Sequence, residues 1–157
     1  MPSRDAPPSP RQAVVAAVQW ALALGFVVDS AVDLLTGYSA LTGLTGSGAL
    51  PPSDQWLYAA PAAALVGAVL GYRWLTEGFG SRSVSAHRRR VRFVVAFLAA
   101  VLVGSLGLLV TAAWLGPLGT AQGLVVGAAF DLAPLAVAGV AGYRPEWLPS
   151  PRTPAGL

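Results

Sequence analysis

The sequence predicts an all-α integral membrane protein: a bundle of four transmembrane helices with both termini cytoplasmic. Three observations carry that expectation. Hydrophobic residues make up 55% of the 157 residues and charged residues only 11%, with a mean hydropathy of +0.62. A soluble domain carries about 25% charge. Four apolar stretches, at about 13–36, 56–76, 91–115 and 119–142, are long enough to cross hydrocarbon as helices, which takes about 20 residues. All ten basic residues are arginines, and all lie in segments that a four-span chain would hold on one side.

Helices are the expected spanning form because each satisfies its own backbone polar groups, which lipid cannot do. A β-barrel would need shorter, alternating segments, and the sequence has none. Cysteine is absent, which excludes disulfides, thiolate metal sites and cysteine nucleophiles. The formal charge of +3 is small and localised. It points to membrane orientation and not to nucleic acid.

Residues 1–12, with Pro2, Pro7, Pro8 and Pro10 among polar groups, read as a disordered cytoplasmic tail. The apolar run 13–36 is too long for a signal-peptide core and ends in no clear small-x-small cleavage site. It is therefore the first span of a membrane domain covering 13–148. The outer loop 37–55 is long for a bundle connection and ends in Pro51-Pro52-Ser53-Asp54. It reads as a surface linker, or as a re-entrant segment if it is functional. Ser53 or Asp54 is placed to cap the second helix.

The inner loop holds Ser81-Arg-Ser-Val-Ser-Ala-His87-Arg-Arg-Arg-Val-Arg92. Its arginines fix topology. Arg88, Arg89, Arg90 and Arg92 are also candidates for contact with anionic lipid headgroups, at about 1 kcal/mol per basic residue. His87 is the only histidine and has no other ligand type beside it, so no metal or cofactor site is implied. Residues 149–157 form a second disordered tail. Arginines flank the cytoplasmic side of every span, whereas loops 37–55 and 116–118 have none. This obeys the positive-inside rule for a multi-pass protein of the plasma membrane. Tyr38, Trp56, Tyr58 and Trp114 outside, with Tyr72, Trp74, Tyr143 and Trp147 inside, form the expected interfacial belt.

Spans two and four both end in Gly-Tyr-Arg followed by Trp-Leu, at Gly71-Tyr72-Arg73 and Gly142-Tyr143-Arg144. The match reads either as two hairpins in tandem or as the usual residues of a cytoplasmic helix end.

The chemistry-bearing residues are three carboxylates inside the spans. Asp29 and Asp33 lie in the first, and Asp131 in the fourth, within Gly127-Ala-Ala-Phe-Asp131-Leu-Ala-Pro134. An aspartate at a helix centre costs about 2.5–3.5 kcal/mol, while each Leu, Val or Phe returns about 0.3–0.6. The first span is marginal with two of them. No basic residue lies deep in any span. The acids must therefore be protonated, hydrated or matched by another chain.

Small residues recur every fourth position at Ala17, Ala21 and Gly25, ahead of Asp29 and Asp33. They do the same at Ala59, Ala63, Gly67 and Gly71, and at Gly119, Gly123 and Gly127 ahead of Asp131. Such ridges let membrane helices approach closely, so each acid is expected to face the bundle. Pro134 lacks an N–H, which frees the Phe130 carbonyl beside Asp131 and favours a kink. Gln19, Ser30, Ser105, Thr111 and Gln122 are expected to hydrogen-bond between helices.

Asp29, Asp33, Asp131, the Phe130 carbonyl and Pro134 are thus the candidate substrate- or ion-binding set. The expectation is a small proton- or cation-linked transporter or channel, working as a homodimer or larger oligomer in the lipid bilayer. The other reading is a non-catalytic subunit or assembly factor whose aspartates pair with a partner membrane subunit. No nucleophile–base pair, metal cluster or phosphate loop supports an enzyme.

Overall fold

Ser9, Pro10 and Gln12 explain where the first helix begins. In the computed structural model, which describes residues 7–36, 58–115 and 120–144, helix α1 runs Pro10–Thr36. The Gln12 amide donates to the Ser9 hydroxyl at 3.3 Å, and the Ser9 amide donates to the Gln12 side-chain oxygen at 3.1 Å. This is a reciprocal capping box with proline at the first helical position, where its missing donor costs nothing. The helix therefore starts three residues ahead of the expected span and takes in the end of the expected tail.

Three further helices follow: α2 at Ala59–Thr76, α3 at Val84–Leu115 and α4 at Thr120–Tyr143. Among the described residues there is no strand. The expected outer loop 37–55, the Ser53 or Asp54 cap, and the tail 149–157 lie outside the described residues.

α1 is the hub. It packs along α2 and also meets α3 and α4, while α3 packs along α4. Small residues make the α1–α2 approach close. A Cβ added to Gly67 would lie 2.5 Å from the Trp20 carbonyl oxygen, and one on Gly71 would lie 2.5 Å from that of Ala16. Farther along, Gly25 stands against Ala60 and Ala64. The ridge on α2 expected from the sequence is thus an α1 contact over Gly67 and Gly71.

The other half packs through aromatic rings. Phe93, Phe97 and Ala138 are buried together, with Leu22, Phe26, Val94, Val101 and Leu135 around them. Phe26 of α1 meets Phe97 of α3 edge to face, with centroids 4.7 Å apart. Edge-to-face rings contribute about 0.5–1.5 kcal/mol beyond their burial.

These contacts set the direction of each helix. The start of α1 lies beside the end of α2, where Gly71 meets Ala16. It also lies beside the end of α4, where the Gln19 side-chain amide donates to the Tyr143 hydroxyl at 2.6 Å. Gly142 of α4 lies against Arg89 and Phe93 at the start of α3. Helices α1 and α3 therefore run one way, and α2 and α4 the other. All arginines of the described residues fall at one end of the bundle.

The outer face is apolar. Val18, Val27, Leu65, Val69, Leu102, Val103, Leu109 and Val137 are all exposed. Large apolar side chains exposed on all four helices mark an interaction with membrane or protein. Helices α1 and α3 are long and apolar enough to cross a membrane, over Pro10–Leu35 and Val84–Gly107. Helix α2 has 18 residues, about 27 Å at the helical rise.

The start of α3 departs from expectation. Ser83 caps the helix, its hydroxyl accepting from the Ala86 amide at 3.1 Å. Arginine is a good helix former, so the helix begins at Val84 and carries the whole basic run as its first turns. Between α2 and α3 the chain turns tightly. Gly78 has φ +91°, a left-handed value that fits glycine at a helix C-terminus.

Candidate functional site

The bundle carries its described arginines at one end and its described intrahelical aspartates farther along the helices. The acids lie away from the arginines. From the Gln19–Tyr143 bond, equal counts along two antiparallel helices bring the backbone of Asp131 level with Ala31. Asp29 and Asp33 then lie on either side, each about 3 Å along the axis. By this count the three carboxylate-bearing positions fall within about one or two helical turns of each other along the axis.

Their surroundings differ. Asp29 is exposed on the surface of the single chain and Asp33 is half-buried. The ridge of Ala17, Ala21 and Gly25 led to the expectation that Asp29 faces the chain's own interior, and in the single chain it does not. Gly25, one turn earlier, still packs on Ala60 and Ala64, but α2 begins only at Ala59. Among the described residues, the wall that covers Gly25 ends at about the level of Asp29. The N-cap of α2, Tyr58, supplies no side-chain hydrogen bond. A helix start of that kind carries partial positive charge, which favours a nearby anion by about 0.3–1 kcal/mol.

Ser30 adds a polar group at this level. It is 3% exposed, and its hydroxyl has no hydrogen-bond partner among the described residues. The side chain of Asp131 lies outside the described residues, as do those of Thr111, Gly123 and Gly127. Pro134 is buried within α4, which continues through it to Tyr143. Phe130 packs its ring toward α3, where a Cβ on Gly104 would lie 2.7 Å from it. Among the described residues, no group of three His, Cys, Asp or Glu side chains could hold a metal ion.

At the other end the arginines do more than set charge. Arg82 caps α2, donating from Nη2 to the Thr76 carbonyl at 2.9 Å and from Nε to that of Leu75 at 3.3 Å. Its own carbonyl accepts from the Gln12 side chain at 3.3 Å, tying α1 to the turn. Arg73 pairs with Glu77 at 2.7 Å on the surface.

Arg88, Arg89 and Arg92 are exposed, as headgroup contacts require. Arg90 is not. It is 4% exposed, donates from Nη2 to the Ser81 carbonyl at 2.9 Å, and lies 5.3 Å over the Trp74 ring. Helical periodicity turns Arg90 inward between its exposed neighbours, so the expectation of a simple headgroup contact fails for that residue. Trp74 likewise leaves the expected interfacial belt to pack on Trp20 and Arg90. Tyr143 meets Gln19 and the Phe93 ring.

The sequence reading missed Arg82 and Arg90 as structural groups. The signal available was position alone: Arg82 follows the end of an apolar helix at capping distance, and Arg90 sits one turn from His87 on one face.

Comparison with protein-family models, with curated proteins and with solved structures gave no match.

Proposed function

We propose that the chain is a four-span protein of the plasma membrane, with both termini cytoplasmic, that moves protons or a small cation. Asp29, Asp33 and Asp131 carry the ion, and the Phe130 carbonyl released by Pro134 assists. What supports this reading is that, counted from the Gln19–Tyr143 bond, the acids of α1 and α4 fall within about one or two helical turns of each other, away from the arginine-rich end. Carboxylates inside a membrane are retained for function by default, because each costs about 2.5–3.5 kcal/mol at the centre of a span.

The exposure of Asp29 shapes the proposal. Four helices make a thin wall, and a carboxylate on its outer surface calls for cover. The working unit is therefore a homodimer or larger oligomer in which another copy closes over Asp29. No cofactor, nucleic acid or enzymatic step belongs to this reading.

The test is flux in liposomes. Wild type is expected to show proton- or cation-dependent flux, and Asp29→Asn with Asp131→Asn is expected to abolish it. Unchanged flux in the double variant sinks the idea.

The same exposure also favours a second reading, a non-transporting subunit whose Asp29 meets a basic residue in a partner's membrane helix. Co-purification of that partner, lost in Asp29→Ala, would distinguish it. A stable oligomer of this chain alone argues against it.

A further inference from the structure

The two hairpins pack by one pattern. A Cβ added to Gly71 of α2 would lie 2.5 Å from the Ala16 carbonyl oxygen and 2.8 Å from the Trp20 Cβ, one turn apart on α1. A Cβ added to Gly142 of α4 would lie 3.1 Å from the Arg89 carbonyl oxygen and 3.1 Å from the Phe93 Cβ, one turn apart on α3. Each glycine opens the same Gly-Tyr-Arg string at the end of its helix. Sequence and packing therefore align Gly142 with Gly71, Arg89 with Ala16 and Phe93 with Trp20. The preceding turn agrees: Gly67 lies on Trp20, and its counterpart Ala138 is buried with Phe93.

The contact between the hairpins is one-sided. Helix α4 packs on α1, but α2 and α3 hardly touch within the chain. A closed two-fold relation would make these two contacts alike. The hairpins are therefore joined head to tail, which leaves one face of each kind unused. On α1 the used face holds Gln19, which bonds Tyr143, then Leu22 and Phe26, which pack on Phe93 and Phe97. Ser30 continues that face and is buried. The alignment carries these four positions onto Arg92, Val95, Ala99 and Val103 of α3, and all four are exposed. It carries Tyr143 onto Tyr72 of α2, which is exposed with Leu65 and Val69 on one helical face.

We infer that a second copy of this chain docks on α3. The second copy's α2 lays Leu65, Val69 and Tyr72 along Arg92, Val95, Ala99 and Val103 of the first. This repeats between chains the contact that α4 makes with α1 inside one chain. The Arg92 guanidinium donates to the second copy's Tyr72 hydroxyl where Gln19 donates to Tyr143. Made twice, the contact closes four hairpins into a ring of two chains. A second copy is the occupant because the two open faces are the counterparts of two that already fit each other. The dimer rests on the oligomer proposed above, adds a face to the one at Asp29, and needs no ion movement.

The experiment produces two differently tagged full chains together in one membrane, one carrying Tyr72→Cys and the other Arg92→Cys. The chain has no cysteine of its own, so a short bis-maleimide joins only the introduced thiols. The mixed pair is expected to cross-link several-fold more than either variant with itself. Val95→Trp, added to the Arg92→Cys chain, puts bulk on an exposed position and spares the chain's own packing. It is expected to lower mixed cross-linking about tenfold with thermal unfolding in detergent unchanged. Val103→Trp, farther along the same face, is expected to do the same. Mixed cross-linking no higher than that of each variant with itself overturns the inference, as does full mixed cross-linking in both tryptophan variants. Flux measured in liposomes separates this from the transport reading. Mixed cross-linking without flux supports the interface and sinks transport, whereas flux without mixed cross-linking overturns the interface alone.

Discussion

Gly71 of α2 stands so close to Ala16 of α1 that a methyl group in place of its hydrogen would lie 2.5 Å from the Ala16 carbonyl oxygen. No side chain can relax that contact, because the obstacle is backbone. Gly71→Ala must push the two helices apart, and overpacking of this kind costs about 1–3 kcal/mol. At Gly139 of α4 an added Cβ meets nothing within 4 Å, so Gly139→Ala is expected to stay within about 0.5 kcal/mol of wild type. Unfolding of the purified chain in detergent by added denaturant compares the two. Equal stability would mean that α1 and α2 do not meet along this ridge.

Two guanidiniums hold the turn between α2 and α3: Arg90 on the Ser81 carbonyl and Arg82 on the end of α2. Arg82 bonds the carbonyls of Leu75 and Thr76 in the last turn of α2, where that of Leu75 also accepts from the Gly78 amide at 3.4 Å. It also sits at the end of a helix where positive charge is favoured. Arg82→Ala is expected to cost about 1–2 kcal/mol, and Arg82→Lys to restore less than half, since lysine is a point charge and cannot fork. Gly78→Ala, at φ +91°, adds about 1–2 kcal/mol of left-handed strain at the same turn. Hydrogen exchange of the α2 C-terminal amides should rise in all three variants, and in none of them should α4 respond.

Gln19 and Tyr143 join α1 to α4 through a 2.6 Å hydrogen bond. Polar pairs between membrane helices couple by about 0.6 kcal/mol on average. A double-mutant cycle with Gln19→Leu and Tyr143→Phe is expected to return a coupling near that value. A coupling near zero would remove the bond that sets the level of Asp131 against Asp29 and Asp33.

The ends of the helices show what could be read beforehand and what could not. Apolar length gave all four helices, with ends at Thr36, Thr76, Leu115 and Tyr143 close to those expected, because hydrophobicity and helix length are local properties. The start of α1 was also legible: Ser9-Pro10-Arg11-Gln12 carries its capping box in the sequence, and the run of prolines hid it. Arg90 was not legible. Only the fold of the turn brings Ser81 and Trp74 to it, and an arginine run by itself looks solvated. Asp29 shows the same limit from the other side. The spacing of Ala17, Ala21 and Gly25 correctly marked the ridge that meets α2 at Gly25. It could not say that Asp29, the next position along that ridge, would be exposed on the single chain.

That exposed position gives the most direct test of the assembly. The chain contains no cysteine, so Asp29→Cys introduces a single thiol at an exposed site on α1. If a second copy covers this face across a two-fold axis, the two thiols come together, and an isologous contact of this kind pairs like with like. Mild oxidation in liposomes is then expected to give a covalent dimer, provided the Cα atoms approach within about 7 Å. The control is Val137→Cys, exposed on α4, which is expected to stay monomeric under the same conditions. Dimer from both variants in equal yield would reflect random collision. Dimer from neither, with Asp29→Cys readily alkylated from water, would mean that the carboxylate faces an open aqueous path in a single chain. The transport reading would then stand without the dimer. Dimer from Asp29→Cys alone locates the acids of two copies at one interface, where two carboxyls that close cannot both stay ionised. One of the pair then holds the proton that a proton-linked mechanism needs.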